Sequence, residues 1–358
     1  MAKLRVLVVE DSLTVRKRLV DVLAADPEID VVGEAADGKQ GVELCLKLRP
    51  DVMTVDMMMP SMSGLAVTEY LMAYCPTPIL IVSASLNRGE VYKTFEALAA
   101  GAVDVLEKPL GDESDASWER RLASTVKLVS RIKVITHPRA RLSLWAKSST
   151  TPSPEAFSAG RSKPSLVAIG ASTGGPQAIL EILRALPADY PLPILFVLHI
   201  GQPFGTCFAD WLDGQSPLRV AHAVDGEPLP EPGTPRVIMA PPDYHLVVRA
   251  GRLRLNTDPE RHSCRPSIDV LLESLARDRG AGTLGCLLTG MGKDGAAGLL
   301  ELRRAGGRTI AQDEASSVVY GIPREAAALG AAERVLPLEQ IAPALLAFAQ
   351  QRAHAEAP

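Results

Sequence analysis

Ser172 lies in a turn of small residues that follows a short apolar segment and precedes a helical pattern. Gly170 and Gly174 flank the serine and permit a tight bend from a strand into a helix. Pro176 suits the first helical turn because its φ angle is already helical. The N–H groups at the helix start would face an anion formed beside the serine, as a nucleophile requires. Ordinary tight turns share the Gly-x-Ser-x-Gly pattern, so this interpretation depends on partner groups elsewhere in the chain.

A histidine and an aspartate follow two further apolar segments. His199 comes directly after Pro193–Leu198, and Asp294 lies in a glycine-rich loop after Thr283–Leu288. Continuous apolar strands separated by helices predict a parallel sheet that is buried on both faces. Ligand sites of such sheets lie at the carboxyl ends of the strands. We therefore expect Ser172 to meet this histidine as its base and this aspartate as the group that orients the base.

Simpler explanations stay open for both partners. His199 could be a polar residue that ends a strand, and Asp294 could cap the helix that begins after it. The other histidines lie in a predicted strand over 219–224 (His222), near strand ends or loops (His245 and His262), or in linker and tail (His137 and His354). His199 has the best position for a base, while His245 and His262 remain alternatives.

The first third of the chain carries a different set of polar groups. Four apolar segments end in polar residues, which are Glu10 and Asp11, then Asp56, then Ser83, then Lys108. Alternating strands and helices predict a doubly wound parallel sheet with these groups at one edge. Clustered carboxylates repel one another unless a cation shares them, and oxygen ligands suit Mg²⁺. A lysine beside them would complete a site for phosphoryl transfer. Taken singly, Asp11 could be a helix cap and Lys108 a surface charge.

Four motifs in the second half of the chain follow one another in a specific order. They are Gly170-Ala171-Ser172-Thr173-Gly174-Gly175, Arg265-Pro266-Ser267-Ile268-Asp269-Val270-Leu271, Thr289-Gly290-Met291-Gly292-Lys293-Asp294-Gly295-Ala296 and Ile310-Ala311-Gln312-Asp313-Glu314-Ala315-Ser316-Ser317-Val318-Val319-Tyr320-Gly321. Through them the chain from Ser165 to about Phe348 resembles the catalytic domain of the CheB family of chemotaxis protein-glutamate methylesterases. The order serine, histidine, aspartate also separates it from α/β-hydrolases, which place the acid before the histidine.

That resemblance implies a role for each group. Ser172 would be the nucleophile, His199 the general base and Asp294 its partner, and the backbone N–H groups of Thr173 and Met291 would form the oxyanion hole. The implied substrate is a glutamate methyl ester on a methyl-accepting chemoreceptor, with deamidation of receptor glutamines as a second reaction. A binding module with a degenerate esterase domain is the alternative, and the complete set of groups argues against it.

Residues 3 to about 130 resemble a response-regulator receiver domain, through the residues above and the run Asp56-Met57-Met58-Met59-Pro60-Ser61-Met62-Ser63-Gly64. The resemblance implies phosphorylation of Asp56 by a histidine kinase. It implies Mg²⁺ bound by Glu10, Asp11, Asp56 and the carbonyl of Met58. Ser83 would be the switch hydroxyl, and Lys108 would hold the phosphoryl group. No cofactor is implied for the catalytic domain.

Three positions depart from these family patterns. Leu198-His199-Ile200-Gly201 stands where the methylesterases usually have Gln-His-Met-Pro. Val105 replaces the aromatic residue that commonly moves with phosphorylation in receivers, and Ser63 stands where an aspartate is frequent. We interpret the first as altered tuning of the histidine, and we expect the signal to travel through backbone and loop shifts.

Length and composition fit this organisation. The chain has 358 residues, which exceeds the roughly 250–300 at which single cores stop growing. We predict two doubly wound α/β domains, a flavodoxin-like receiver over 1–130 and a Rossmann-like methylesterase domain over 164–358. Residues 131–163 are rich in Pro, Ser and Thr and predict a flexible linker, in which Leu142–Trp145 is the apolar patch.

The remaining features of the sequence concern partners and location. The net charge of −4 without a basic stripe argues against nucleic-acid binding. Neither a signal peptide nor an apolar run of about 18 residues is present, so we expect a cytoplasmic protein without membrane insertion. Five scattered cysteines predict reduced thiols. Cys264, beside Arg265, is a candidate for an activated thiol, but the sequence offers it no partner.

Overall fold

The computed structural model describes residues 3–84, 87–108, 115–132, 134 and 163–354. The chain divides into two compact units, 1–151 and 152–358, and each has its own parallel sheet. Leu142–Trp145 lies outside the described residues. Within the described part of the chain, no helix combines the length and apolar character that crossing a bilayer needs.

The N-terminal unit contains a five-stranded parallel sheet in the order β2-β1-β3-β4-β5, which confirms the flavodoxin-like prediction. Its strands are β1 (Leu4–Val9), β2 (Ile29–Ala35), β3 (Val52–Val55), β4 (Ile79–Ser83) and β5 (Asp104–Glu107). Its helices are α1 (Leu13–Ala24), α2 (Gly38–Leu48), α3 (Gly64–Tyr74), α4 (Arg88–Ala99) and α5 (Asp115–Val129). The central strands β3 and β4 are buried along their whole length, as their continuous apolar sequences predict.

The C-terminal unit contains a seven-stranded sheet in the order β14-β13-β12-β6-β7-β9-β8, and its ladders are parallel. Its strands are β6 (Leu166–Ala171), β7 (Ile194–Leu198), β8 (Arg219–His222), β9 (Arg236–Met239), β12 (Thr283–Leu287), β13 (Arg308–Gln312) and β14 (Arg334–Leu336). Its helices are α6 (Gly175–Ala185), α7 (Phe204–Gln215), α8 (Ile268–Asp278), α9 (Ala296–Arg304), α10 (Ile322–Ala328) and α11 (Leu338–His354). The Rossmann-like prediction is therefore confirmed for this unit.

Two local features differ from the sequence interpretation. Strand β8 ends at His222, two residues earlier than predicted, because the chain turns at Asp225 and Gly226. An antiparallel hairpin of β10 (His245–Arg249) and β11 (Arg252–Asn256) lies between β9 and α8. The hairpin was not predicted, and it packs Leu246, Val248 and Leu253 into the same core as the sheet.

The register of the central strands decides which loop residues become neighbours. Ala171, the last residue of β6, pairs with Leu198, the last residue of β7. The residues that follow, Ser172 and His199, therefore leave adjacent strands at the same level. On the other side of β6, Gly170 pairs with Leu287 at the end of β12. The three strand ends that carry the predicted catalytic groups thus lie side by side at the carboxyl edge of the sheet.

Candidate active site

Ser172 occupies the turn between β6 and α6, as predicted. Gly174 is the N-cap of the helix with a φ angle of 77°, a left-handed conformation that favours glycine, and Pro176 lies in the first helical turn. The N–H of Gly175 donates to the carbonyl of Ser172 over 2.7 Å, which closes the turn. The serine is half-buried, so the fold holds its backbone and leaves its side chain accessible.

The loop after β12 packs directly against this turn. The N–H of Ser172 donates to the carbonyl of Thr289 over 3.0 Å. A Cβ atom on Gly290 would lie 2.7 Å from the Cβ of Ser172, so only glycine permits this approach. The glycines of this loop therefore bring backbone against the serine, as the sequence interpretation suggested for so flexible a segment.

His199 and Asp294 form a hydrogen-bonded pair. The Nε2 atom of the imidazole lies 2.9 Å from Oδ2 of the carboxylate, and the N–H of His199 donates to the carbonyl of Ala171 over 3.0 Å. Burial lowers the pKa of His199, but hydrogen bonds to Asp294 and Cys264 outweigh burial and raise the pKa to about 9. The carboxylate therefore both orients the ring and stabilises its protonated form.

Asp294 is held by the N-terminus of α8. It accepts hydrogen bonds from the hydroxyl of Ser267 (2.7 Å) and from the N–H groups of Ile268 (2.7 Å) and Asp269 (3.2 Å). Burial raises the pKa of Asp294, but the contacts with His199, Ser267 and the helix N–H groups lower it further than burial raises it. The helix α9, which follows this residue, has Gly295 as its N-cap, so the simple capping explanation for Asp294 is excluded.

The other histidines whose side chains the structure describes form polar contacts with other residues. His222 contacts the carbonyl of Thr206, and His245 accepts from the N–H of Ser267 while its second ring nitrogen contacts the carbonyl of Pro259. His262 lies 3.2 Å from a carboxylate oxygen of Asp269. Among the histidines whose side chains the structure describes, His199 is the one hydrogen-bonded to Asp294. His137 and the side chain of His354 lie outside the described residues.

Sequence reasoning missed the side chains that support the serine turn. The hydroxyl of Thr289 donates to the carbonyl of Thr173 over 2.9 Å and accepts from the N–H of Val319 over 2.9 Å. The side-chain carbonyl of Gln312 accepts from the N–H of Thr289 over 2.8 Å. Thr289 is the first residue of the third motif quoted above, and Gln312 lies within the fourth. Their membership of these motifs was the signal that sequence reasoning could have used. The two predicted oxyanion residues differ in exposure, since Thr173 is buried and Met291 is 57% exposed.

Cys264 has a partner that the sequence did not reveal. Its Sγ atom lies 3.6 Å from Nδ1 of His199, the ring nitrogen that faces away from Asp294. The two residues are 65 positions apart, so only the fold brings them together. The thiol is half-buried, which leaves it within reach of solvent.

In the N-terminal unit, the predicted acidic residues converge at the carboxyl edge of the sheet. Carboxylate oxygens of Glu10, Asp11 and Asp56 lie within 4.8 Å of one another. Nζ of Lys108 lies 2.7 Å from Glu10 and 3.0 Å from Asp56. Burial raises the pKa of Glu10 and of Asp56, and the lysine opposes this effect. Three oxygen donors of this kind fit Mg²⁺, whose charge would offset the burial of these carboxylates. Ser83 ends β4 beside them and is buried.

The departures from the receiver pattern have local structural consequences. The hydroxyl of Ser63 accepts from the N–H of Ala66 over 3.3 Å and caps α3, so the serine performs the capping that an aspartate would. Val105 is half-buried on β5. The backbone at Gly64 lies so close to Asp56 that a Cβ atom would be 2.4 Å from the aspartate carbonyl, which ties the start of α3 to the acidic residues.

Both units of the chain match known protein families. The model of the CheB methylesterase family matches residues 167–345, and that of the response regulator receiver domain matches residues 6–115. A relative in Myxococcus xanthus, named protein-glutamate methylesterase/protein-glutamine glutaminase 4, is 44% identical over 95% of both chains. One in Pseudomonas aeruginosa, named protein-glutamate methylesterase/protein-glutamine glutaminase 2, is 44% identical over 97% of both chains.

Among solved structures, the CheB methylesterase catalytic domain of Thermotoga maritima is similar, with 36% identity and a TM-score of 0.49, covering 52% of this chain and 98% of that one. Fold, site and relatives together define an esterase domain joined to a response-regulator receiver. The chain belongs to the CheB methylesterase family.

Proposed function

We propose that this protein is a phosphorylation-regulated hydrolase that removes methyl groups from glutamate methyl esters on methyl-accepting chemoreceptors and deamidates receptor glutamines. The products would be glutamate with methanol or ammonia. The observation that carries the proposal is the His199–Asp294 pair, which lies at the strand end beside the Ser172 turn. The names of the relatives supply the glutamate methyl ester and the glutamine, and the family resemblance supplies the chemoreceptor.

The proposed reaction follows from the different partners of the two ring nitrogens of His199. Because Nε2 of His199 faces Asp294, Nδ1 is the ring nitrogen left to take the proton of Ser172. The serine oxygen would attack the side-chain carbonyl of the substrate while this nitrogen accepts the proton. The N–H groups of Thr173 and Met291 would stabilise the oxyanion. The imidazolium then protonates the departing methanol or ammonia, and water activated by the same base hydrolyses the acyl-enzyme.

The receiver half of the proposal concerns control. Asp56 would accept a phosphoryl group from a histidine kinase, with Mg²⁺ held by Glu10, Asp11, Asp56 and the carbonyl of Met58. Lys108, which already contacts Glu10 and Asp56, would bind the phosphoryl oxygens. Ser83 lies at the end of β4, where its hydroxyl could follow the phosphoryl group and reshape the adjoining loop.

The test is methanol release from methylated receptor membranes by wild-type and Ser172→Ala protein. We expect Ser172→Ala to abolish turnover while the fold, judged by circular dichroism, and the phosphorylation of Asp56 stay intact. Ser165→Ala is the matched control, because the hydroxyl of this half-buried serine, just before β6, donates to the carbonyl of Gly282, just before β12. Turnover by Ser172→Ala comparable with wild type would refute the assignment. Receptor binding without turnover by the wild type would favour the degenerate binding module instead.

A further inference from the structure

A second set of potential metal ligands adjoins the catalytic histidine. Sγ of Cys264, Nδ1 or Nε2 of His199 and a carboxylate oxygen of Asp294 lie within 4.8 Å of one another. The proposed hydrolysis uses the histidine and the aspartate and has no role for the thiol. Cys264 is nevertheless half-buried beside the base rather than packed into the core.

The distance between Cys264 Sγ and His199 Nδ1 is close to the distance between two ligand atoms of one zinc ion. A tetrahedral Zn²⁺ holds sulfur at about 2.3 Å and imidazole nitrogen at about 2.0–2.1 Å, which places the two ligand atoms about 3.5 Å apart. The observed separation of Cys264 Sγ and His199 Nδ1 is 3.6 Å. The separation of the two atoms is therefore compatible with their binding one ion together.

Asp294 prepares the histidine for such an ion. The carboxylate contacts Nε2 of His199 over 2.9 Å, and in its neutral form a ring that donates there carries its lone pair on Nδ1, toward Cys264. Histidines that bind metal ions commonly donate their other ring N–H to a carboxylate in this way. Asp294 is itself fixed by three donors from Ser267, Ile268 and Asp269, so the orientation of the ring is firmly determined.

We propose that Cys264 and His199 form an inhibitory site for Zn²⁺ or another thiophilic divalent cation. A thiolate with an imidazole selects such ions over Mg²⁺, which prefers oxygen ligands. The bound ion occupies Nδ1, the atom that takes the proton from Ser172, and so removes the general base. The inhibitory consequence rests on the proposed function, whereas the binding site does not depend on it.

Metal binding is tested directly with Co²⁺, which reports a thiolate ligand through a charge-transfer absorption band. The full-length protein is titrated with Co²⁺ in excess Mg²⁺, so that the receiver carboxylates are occupied, and with a reductant that contains no thiol. We expect a band in wild type, its displacement by Zn²⁺, and its loss in Cys264→Ser. Cys207→Ser, at a half-buried cysteine in α7, is the matched control and should keep the band.

Methanol release is then measured in the same variants. We expect micromolar Zn²⁺ to inhibit wild type and Cys207→Ser, and we expect Cys264→Ser to turn over without zinc and to resist inhibition. If Cys264→Ser fails to fold, Cys264→Ala replaces it. In wild type, Zn²⁺ should also slow the alkylation of Cys264 by iodoacetamide, as measured by peptide mass spectrometry.

The outcomes separate the two proposals. Absence of the band in wild type, or its persistence in Cys264→Ser, overturns the metal site even if the enzyme is active. A band that depends on Cys264 in a protein without methylesterase activity keeps the metal site and contradicts the proposed function.

Discussion

Each charged group of the candidate site has its properties set by partners from another part of the chain. Asp294 follows β12, but its donors belong to the start of α8. The positive end of the helix dipole and direct N–H donors stabilise the ionised carboxylate despite its burial. An ionised Asp294 in turn raises the pKa of His199, so the tuning of the base depends on where α8 begins.

The raised pKa of His199 predicts the pH dependence of turnover. Because the pKa of His199 is raised to about 9, the ring of the free enzyme is protonated at lower pH. It then has no lone pair to accept the serine proton. We therefore expect kcat/KM to rise with pH through neutrality and to level off near 9. Cys264→Ser removes one cause of the raised pKa, so its limb should lie at lower pH. A wild-type limb near the ordinary value of 6.5 would contradict this prediction.

The acidic residues of the receiver predict a requirement for a divalent cation. Glu10, Asp11 and Asp56 bring three carboxylates together with one lysine, so a dianionic phosphoryl donor meets uncompensated negative charge unless Mg²⁺ is bound. We expect a chelator to abolish phosphorylation of Asp56 by a small acyl phosphate, and added Mg²⁺ to restore it. Asp11→Asn should raise the Mg²⁺ concentration needed for half-maximal phosphorylation. Undiminished phosphorylation without divalent cations would refute the prediction.

At the scale of elements, the serine turn and the loop after β12 act as one unit. Thr289 joins them through the carbonyl of Thr173, and it also joins both to the segment before α10 through Val319. Gln312, at the end of β13, completes the set by accepting from the N–H of Thr289. The position of Ser172 therefore depends on three strand ends, because each hydrogen bond crosses between elements.

Two buried threonines on this segment allow a matched test. Thr289→Val leaves the N–H of Val319 without its acceptor, which we expect to cost about 1–3 kcal/mol of unfolding free energy and to lower kcat. Thr283→Val is the control, because the hydroxyl of Thr283 has no hydrogen-bond partner among the described residues. Its stability should be unchanged or slightly increased. Denaturant unfolding and methanol release measure both effects, and equal behaviour of the two variants would count against the network.

At the scale of the whole molecule, the two candidate sites lie in two units that each have their own sheet. A buried cluster of the catalytic unit is built from residues between Leu166 and Ala331. Phosphorylation of Asp56 would alter loops in the receiver only. Control of Ser172 therefore requires that the state of one unit biases the activity of the other.

We expect the unphosphorylated receiver to restrain the catalytic unit. Deleting residues 1–160 should then raise basal methanol release, because the restraint is lost while the catalytic core is kept. The full-length Asp56→Asn variant is the control and should stay at the low basal rate even with a phosphodonor. If the isolated unit is no faster than the unphosphorylated whole, inhibition is the wrong mechanism, and phosphorylation must activate the enzyme or recruit it to the receptor.

The sequence by itself determined the two parallel-sheet domains and the strand ends that carry chemistry. Continuous apolar strands predicted both parallel sheets, and the residues directly after them were Glu10, Asp56, Lys108, Ser172 and His199. Such predictions succeed because burial on both faces favours a largely apolar strand, and the polar residues that follow the strand lie at the edge where ligands bind.

Only the tertiary structure decided which distant residues touch. The partners of Asp294 at the start of α8, the contact between Cys264 and His199, and the hydrogen bond from the Thr289 hydroxyl to the carbonyl of Thr173 join positions from 25 to 116 residues apart. The hairpin of β10 and β11 was missed as well, although Arg252–Asn256 alternates polar and apolar residues and Ala250 and Gly251 form a two-residue turn between the strands. Such contacts depend on strand order and register, which local periodicity does not encode, because many sheet orders bury the same apolar strands equally well.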